Sequence, residues 1–349
     1  MSTLKVTNIQ NPSTSSGGVS IDTSGHVTVD GVAMPSAGPL SNRNLVINGA
    51  MQVAQRGTQV TGETSGGYQT CDRFKPVITT LGTWTISQST DSPDGFSYSL
   101  KLDCTTADAS PASADVLIIK YQIEAQDLQH LKYGTSSAET MTLSFWVKSN
   151  KTGDASIDFR QTDNSGKLYT VGYSISAANT WEQKVLTITG DTAGVINNDS
   201  ETGLEIDWWL NSGSNFTGGA GPSNSWFASD NTRRNFDNFG LGGSTDDEFY
   251  ITGVQLEVGS VATPFEHRSF GDELLRCQRY YFKTIGSFSF VLSNGVYNSF
   301  QFPVRMRVTP TVTLSGGGST VSGTDADGFH ALRNGTNNAH QVTADSAEL

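Results

Sequence analysis

Residues 250–266, YITGVQLEVGSVATPFE, are the stretch that decides how this chain is divided. Apolar and polar residues alternate through its first half, which is the period of a half-buried β-strand. The alternation predicts one face with Ile251, Gly253, Gln255 and Glu257, and an opposite face with Tyr250, Val254, Leu256 and Val258. Because Gly259 and Pro264 end the strand, we predict that it closes a large β domain and leads through a hinge into a smaller one.

The composition of the whole chain favours short strands joined by tight turns. Of its 349 residues, 36% are hydrophobic and 16% charged, and 37 are glycine. Roughly ten strand signals fall between residues 42 and 266, which suits a two-sheet sandwich. We therefore predict a mainly β protein in three parts: a short N-terminal β attachment region with a linker (residues 1–41), a jelly-roll β-sandwich (42–266), and a helix with a small β domain (267–349).

The two flanking regions carry weaker signals. The N-terminal strands are too short to bury a core within one chain, so we expect either a disordered leader or three copies that pool their apolar side chains; these are Leu4, Val6, Ile9, Val19, Ile21, Val27 and Val29. Beyond the hinge, Ser269 and Asp272 form a variant capping box. The helix that follows is predicted to share one face among Phe270, Leu274, Cys277 and Tyr281.

Charge and cysteine content exclude several classes of protein. The formal net charge is −12 and no cluster of Lys or Arg interrupts it, so nucleic-acid binding is not expected. Cys71, Cys104 and Cys277 are too scattered for a disulfide framework, and we predict three free, mostly buried thiols. The N-terminus MSTLKVTNIQ has no signal-peptide pattern and no run reaches about 18 apolar residues, so neither export nor membrane insertion is expected.

Four stretches carry a family resemblance: NLVINGAMQ (44–52), TMTLSFWVKS (140–149), TWEQKVLTIT (180–189) and the VQLE strand. Together they resemble the galactose-binding-like jelly rolls of carbohydrate-binding modules. The longer stretch VQLEVGSVATPFEHRSFGDELLRCQRYY (254–281) resembles tail-fibre and related structural proteins of tailed bacteriophages. These motifs span residues 44–281.

The resemblance implies a component of the virion that is assembled in the host cytoplasm. It implies a homotrimeric tail fibre that recognises a host-surface glycan and attaches to other virion proteins through its N-terminal region. Two alternatives stay open: a fibre or decoration protein on the capsid head, and a free carbohydrate-binding module. The sequence does not separate tail from head, because attachment depends on a partner.

Motifs for catalysis and cofactors are missing from the sequence. It contains no GxSxG, HExxH, P-loop or GxGxxG pattern, and its five histidines lie far apart. Jelly rolls of the carbohydrate-binding type often carry a structural Ca²⁺, but Gln52 and Gly253 stand where that family tends to have acidic ligands. We therefore predict no enzyme activity, no cofactor and no metal.

Tryptophan residues are the remaining candidates for a binding site. Trp208, Trp209 and Trp226 lie in or beside a Gly/Ser/Asn-rich region, residues 211–225, and such rings stack on the apolar faces of sugars. Because neighbouring side chains of a strand point in opposite directions, either Trp208 or Trp209 must point away from the core. We predict a carbohydrate contact at these three residues, with one alternative: the outward ring is covered by residues 211–225 or by another subunit.

Overall fold

The computed structural model describes residues 8–10, 18–36, 40–284, 288–289, 297–315, 319–333, 339–346 and 348. The fold is mainly β, as predicted. Its strands are β1 Asn8–Ile9, β2 Val19–Ile21, β3 Val27–Val29, β4 Val32–Ala33, β5 Gln59–Glu63, β6 Lys75–Thr79, β7 Thr83–Ser89, β8 Ser99–Thr106, β9 Val116–Glu124, β10 Met141–Ser149, β11 Gly153–Gln161, β12 Lys167–Ile175, β13 Glu182–Ile188, β14 Thr202–Ser212, β15 Glu248–Val258, β16 Tyr281–Lys283, β17 Phe288–Ser289, β18 Tyr297–Gln301, β19 Thr311–Ser315, β20 Ser319–Thr324, β21 Gly328–Arg333 and β22 Ala339–Asp345. The α-helix, α1, is Phe270–Gln278, and short 3₁₀ helices are Ala125–Leu131, Thr162–Asn164 and Asn231–Arg233.

Two antiparallel sheets form the large β-sandwich, which is of the jelly-roll kind. One sheet has the strand order β13-β10-β15-β8-β7-β5, and the other has the order β12-β11-β14-β9-β6. The side chains between the sheets form one continuous apolar core, which includes Trp84, Phe145, Phe159, Trp208 and Phe249, all fully buried. The 3₁₀ helix Ala125–Leu131 contributes Ala125, Leu128 and Leu131 to this core.

Strand β15 differs from the alternation that was predicted for residues 250–266. A β-bulge at Gly253 changes the register against β10, so Trp146 pairs with Thr252 but Ser144 pairs with Gln255. Ile251 is consequently in the core with Val254, whereas Tyr250 lies on the outer face with Gln255. The prediction of an uninterrupted alternation was wrong because an extra residue at a bulge reverses the faces on its two sides.

Residues 44–54, which contain the NLVING motif, do not form a strand. Side chains form hydrogen bonds with backbone N–H and C=O groups that would otherwise pair with a neighbouring strand. The Asn44 amide donates to the Val254 carbonyl, and its oxygen accepts from the amide of Val46. The Asn48 side chain bonds the backbone of Val53 on both its donor and acceptor sides. The segment therefore forms an ordered loop that is bonded to β15.

The N-terminal strands β1 to β4 form a separate four-stranded antiparallel meander. Several of its apolar side chains are exposed: Ile9 at 62%, Val32 at 48%, and Ile21 and Val29 at 38% each. Leu4 and Val6, which were predicted to belong to this region, lie outside the described residues, as does part of the linker predicted before residue 42.

Helix α1 begins at the predicted capping box. The Ser269 hydroxyl accepts a hydrogen bond from the Asp272 amide at 3.2 Å and donates to the Asp272 carboxylate at 2.6 Å. The predicted apolar face was partly wrong: Cys277 is buried, but Phe270 is 56% exposed and Tyr281 belongs to β16. The inward face instead carries Glu273, Cys277 and Gln278, because the helix packs on polar loops of the sandwich.

Beyond the helix, two small sheets hold a second core. Strands β16, β17 and β19 pair with β22, and β18 and β20 pair with β21. Phe302, Met306, Phe329, Val342 and Ala344 are buried between them. The three cysteines are free and buried, as predicted. Within the described part of the chain, no helix is long and apolar enough to cross a membrane.

Candidate functional site

The tryptophans predicted as a binding site occupy different places in the sandwich. Trp208 and Trp209 point to opposite faces of β14, as the alternation required, but both are buried, with 0% and 1% of the residue exposed. Trp208 lies between the two sheets, and its ring meets Phe145 edge-on at 5.9 Å between centroids. Trp209 faces outward, where its ring packs against Phe216 at 5.2 Å. The outward ring is thus covered by residues 211–225 of this chain, which was the alternative to a carbohydrate contact.

Trp226 lies apart from these two residues, near one end of the sandwich. Its ring contacts Tyr169 at 5.6 Å and Tyr133 at 5.8 Å between centroids, and its indole N–H donates to the Thr189 carbonyl. It is half-buried and packs on the edge of the main core. The structure does not bring the three tryptophans together, and their role in carbohydrate contact stays a prediction.

The outer face of the five-stranded sheet carries an acidic cluster, which we define as Asp158, Glu205 and Asp207. The Asp158 and Asp207 side chains are 0% exposed and that of Glu205 is 3% exposed. Arg234 binds Asp158 and donates to Asp207 at 2.6 Å, and Lys120 lies 2.7 Å from Glu205. Asp158 also accepts from the Trp209 indole at 3.0 Å. Arg234 belongs to residues 213–247, here called the crossover segment, which links β14 to β15 and covers this face.

Two carboxyl groups of the acidic cluster, those of Asp207 and Glu205, have pKa values shifted in opposite directions. Burial, together with the neighbouring Glu205 and Asp158 carboxylates, raises the pKa of Asp207 well above its ordinary value. Burial also raises the pKa of Glu205, but the nearby Lys120 ammonium outweighs it and the pKa is lowered overall. A carboxylic acid beside a carboxylate is an arrangement that glycosidases use. Here Asp158 and Glu205 are ion-paired and Asp207 accepts from Arg234. The crossover segment closes the cluster off from solvent, so a substrate has no route to it and the cluster anchors that segment.

A different set of aromatic residues lies on the outer face of the six-stranded sheet. We call it the aromatic row and define it as Phe265, Phe96, Trp146, Tyr250 and Trp181. The Phe96 ring lies 5.0 Å from that of Phe265, and the Trp181 ring lies 6.1 Å from that of Tyr250. Trp146 stands between these pairs, two residues before Lys148, which is the cross-strand partner of Tyr250. Phe265, Phe96, Trp146 and Trp181 are partly exposed.

Gly253 allows the rings of Phe96 and Trp146 to pack closely against the strand in the middle of the aromatic row. Its φ is +61°, and a Cβ atom there would come within 2.7 Å of the Phe96 ring and 2.9 Å of the Trp146 ring. A residue without a side chain is therefore required both by the backbone and by the two rings. Gly253 therefore has a structural role in this sheet.

Charged groups line one end of the aromatic row. The Lys148 ammonium lies 4.5 Å from the centroid of Tyr250 and 5.4 Å from that of Trp181, and it is paired with Asp91. Asp91 also accepts from the Trp181 indole at 3.1 Å. On the other side of Tyr250, Lys101 binds Glu248 at 2.6 Å. Fixed hydrogen-bonding groups thus surround the Tyr250–Trp181 end of the row.

Sequence reasoning did not select this surface as a site. The alternation of β10 does place Trp146 and Lys148 together on one face, and that signal was available. Alternation does not give the strand register that sets Tyr250 beside Lys148. It also does not show that the turn before β13 brings Trp181 to the same surface. Among the described residues, no group of three His, Cys, Asp or Glu side chains has an arrangement that suits a metal ion.

No protein-family model matches this chain, and no curated protein matches it in sequence. Among solved structures, it is similar to the enzymatically active domain of tailspike protein 4 of bacteriophage CBA120. The TM-score is 0.34 and the identity 17%, over 62% of this chain and 21% of that one. The chain thus spans about a fifth of the tailspike chain that it matches.

Two carbohydrate-binding modules are also similar in structure. The C-terminal family 22 module of Clostridium thermocellum Xyn10B has a TM-score of 0.32 and 10% identity, over 64% of this chain and 99% of that one. The module TmCBM61, solved in complex with β-1,4-galactotriose, has a TM-score of 0.30 and 10% identity, over 62% and 99% of the two chains.

Proposed function

We propose that this chain is a glycan-binding structural protein and that the aromatic row is its binding surface. The observation that carries the proposal is the row itself: four partly exposed rings, Phe265, Phe96, Trp146 and Trp181, lie along one sheet face together with the buried Tyr250. Aromatic rings at the surface of a rigid sheet offer flat apolar area at little entropic cost. Such area fits the apolar faces of sugar rings.

The polar groups beside the row supply the second half of sugar recognition. Hydroxyl groups need both donors and acceptors, and the Lys148–Asp91 and Lys101–Glu248 pairs offer both. These side chains are already held by each other and by the ring of Tyr250. Ligand binding therefore costs little additional side-chain entropy, and this favours affinity. The ligand class is therefore a neutral or mixed-charge saccharide chain.

The same reasoning favours binding without catalysis. The carboxylates with the most perturbed surroundings, in the acidic cluster, lie on the opposite sheet and are closed to solvent. The carboxylates beside the aromatic row, Asp91 and Glu248, both have a lowered pKa: burial raises each, but hydrogen bonds from Lys148 and Lys101, respectively, outweigh it. Carboxylates held in the ionised form suit hydrogen-bond acceptance rather than proton donation.

We further propose that the chain is a homotrimeric tail fibre of a phage particle, in the three parts 1–41, 42–266 and 267–349. The exposed apolar side chains of the N-terminal meander, such as Ile9 and Val32, support association there with other copies or with a virion partner. Light scattering on the full chain tests the trimer. A monomer at micromolar concentration would contradict it.

The position in the particle has two candidates, the tail and the capsid head, and a free carbohydrate-binding module remains the alternative to both. Cryo-electron microscopy of the intact particle decides between tail and head by locating the chain. For the binding role, an array of bacterial surface glycans probed with the full-length protein is the direct test, since it needs no prior choice of sugar. No binding to any saccharide on such an array counts against the proposed function.

A further inference from the structure

Glu348 from the C-terminal stretch is buried against the sandwich. Its side chain is 1% exposed, and each carboxylate oxygen meets a different arginine. Oε1 accepts from Nη1 of Arg56 at 2.5 Å, and Oε2 accepts from Nη1 of Arg73 at 3.2 Å. The carboxylate is therefore held as a bridge between two guanidinium groups, which is a stronger arrangement than a single surface ion pair.

Both arginines are positioned by groups other than Glu348. The Arg73 guanidinium lies 3.5 Å from the centroid of the Tyr280 ring and donates from Nη2 to the Gln122 carbonyl at 2.6 Å. The Arg56 guanidinium lies 3.7 Å from the centroid of the Tyr281 ring. Stacking on tyrosine and a backbone hydrogen bond fix the two planes, so the arginine pair is preorganised for a carboxylate.

The buried arginine of this pocket also requires an anion. Asp72 accepts from the Gln55 amide at 2.9 Å, and Asp345 lies 3.6 Å from Arg56, so Arg56 keeps a carboxylate partner without Glu348. Arg73 is only 1% exposed and pairs with Glu348, so among the described residues it is the guanidinium that loses its carboxylate when Glu348 is removed. A buried unpaired guanidinium is strongly unfavourable, so the empty pocket would favour any carboxylate small enough to enter.

We propose that Arg56 and Arg73 form a carboxylate-binding pocket that the chain fills with its own Glu348. Glu348 acts as a bound ligand in cis and ties the C-terminal strands to the sandwich. A second ion pair, from Arg279 to Glu124 at 2.7 Å, holds helix α1 to the sandwich independently. Removal of the Glu348 carboxylate therefore vacates the pocket while the helix stays in place. This inference is separate from the glycan-binding proposal, because the pocket shares no residue with the aromatic row.

Chemical rescue of the full-length Glu348→Ala variant tests the pocket. We expect its melting temperature to fall by about 5 °C, and sodium propionate in the millimolar range to restore at least half of that loss in a saturable way. Sodium chloride at equal ionic strength should restore none. The wild-type protein should not respond, because its pocket is filled. Glu201→Ala is the matched control, since Glu201 is 72% exposed and pairs with Arg307 at 3.6 Å.

Two results would overturn the proposal. One is a melting temperature of Glu348→Ala equal to that of the wild type. The other is a lowered melting temperature that propionate does not raise more than chloride does, which would leave Glu348 as an ordinary ion pair. If Glu348→Ala does not fold on its own, its refolding yield from urea should rise with propionate and not with chloride. Equal yields in both salts would contradict the pocket.

Discussion

The ammonium group of Lys148 lies over the ring of Tyr250, 4.5 Å from its centroid, on the outer face of the six-stranded sheet. The two residues are cross-strand partners on β10 and β15, so strand register alone sets this contact. Because Lys148 also neutralises Asp91, the contact fixes a donor, an acceptor and a ring in one place. This end of the aromatic row is therefore the part best suited to orient a saccharide.

Replacement of Trp208 or Trp209 by alanine should destabilise the protein severely in both cases. Each ring is buried, one in the main core and the other under Phe216, so each variant loses about 3–5 kcal/mol of unfolding free energy. Urea denaturation measures the loss. The half-buried Trp226→Ala should lose clearly less. A silent Trp209→Ala would show that the crossover segment does not cover this ring in solution.

Gly253→Ala should disturb the aromatic row from within. The new Cβ would meet the rings of Phe96 and Trp146, and alanine at a φ of +61° adds backbone strain of about 1–2 kcal/mol. We expect a lower urea midpoint together with weaker glycan binding. Gly95→Ala is the control for backbone strain alone, because its φ is +89° and no atom lies within 4 Å of the added Cβ. Equal glycan affinity in both variants would contradict a role for the two rings.

Arg234→Met should release the crossover segment from the sheet. It leaves Asp158 and Asp207 buried without their shared arginine, which costs about 3–5 kcal/mol by comparison with other broken buried pairs. Hydrogen exchange should then rise in residues 213–247. The neighbouring Arg233→Met is the control, because Arg233 lies over Phe227 at the surface and binds no carboxylate of the acidic cluster. Similar losses in the two variants would contradict the anchoring role.

Asp72 should give the unfolding free energy a distinctive dependence on pH. Burial and the nearby Glu348 raise the pKa of Asp72 to about 6 in the folded chain, against about 3.9 for an unfolded aspartate. Between these values the folded state keeps a proton that the unfolded state has lost, so this group's contribution to stability falls as pH rises from about 4 to about 6. Asp72→Asn should remove that fall. A difference between variant and wild type that stays constant across this pH range would contradict it.

Local chemistry explains which features the sequence could predict. The opposite faces of Trp208 and Trp209, the capping box at Ser269 and the buried thiols all follow from neighbouring residues or composition. The loop at residues 44–54 was not predictable, because Asn44 and Asn48 divert the backbone hydrogen bonds through side-chain contacts that alternation does not reveal. The bulge at Gly253 reversed the predicted faces of β15 for a similar reason.

The features that the sequence did not predict depend on contacts between residues far apart in the chain. The aromatic row combines residues from β10, β15 and three loops, and only their three-dimensional register brings Trp181 to Tyr250. Arg56 and Glu348 are even further apart in sequence and meet through the packing of the C-terminal strands on the sandwich. No periodic pattern in a single sequence encodes such contacts, because each is set by the arrangement of several elements.

The most direct measurement of the central claim is the calorimetric affinity of the full-length protein for the best saccharide from a glycan array, compared with that of Trp181→Ala. Trp181 lies at the open end of the row, so its removal should weaken binding about tenfold or more while the melting temperature changes little. Tyr297→Ala removes a 61% exposed ring elsewhere and should bind as the wild type does. Unchanged affinity in Trp181→Ala, with the loss found instead in Trp226→Ala, would contradict the aromatic row as the binding surface.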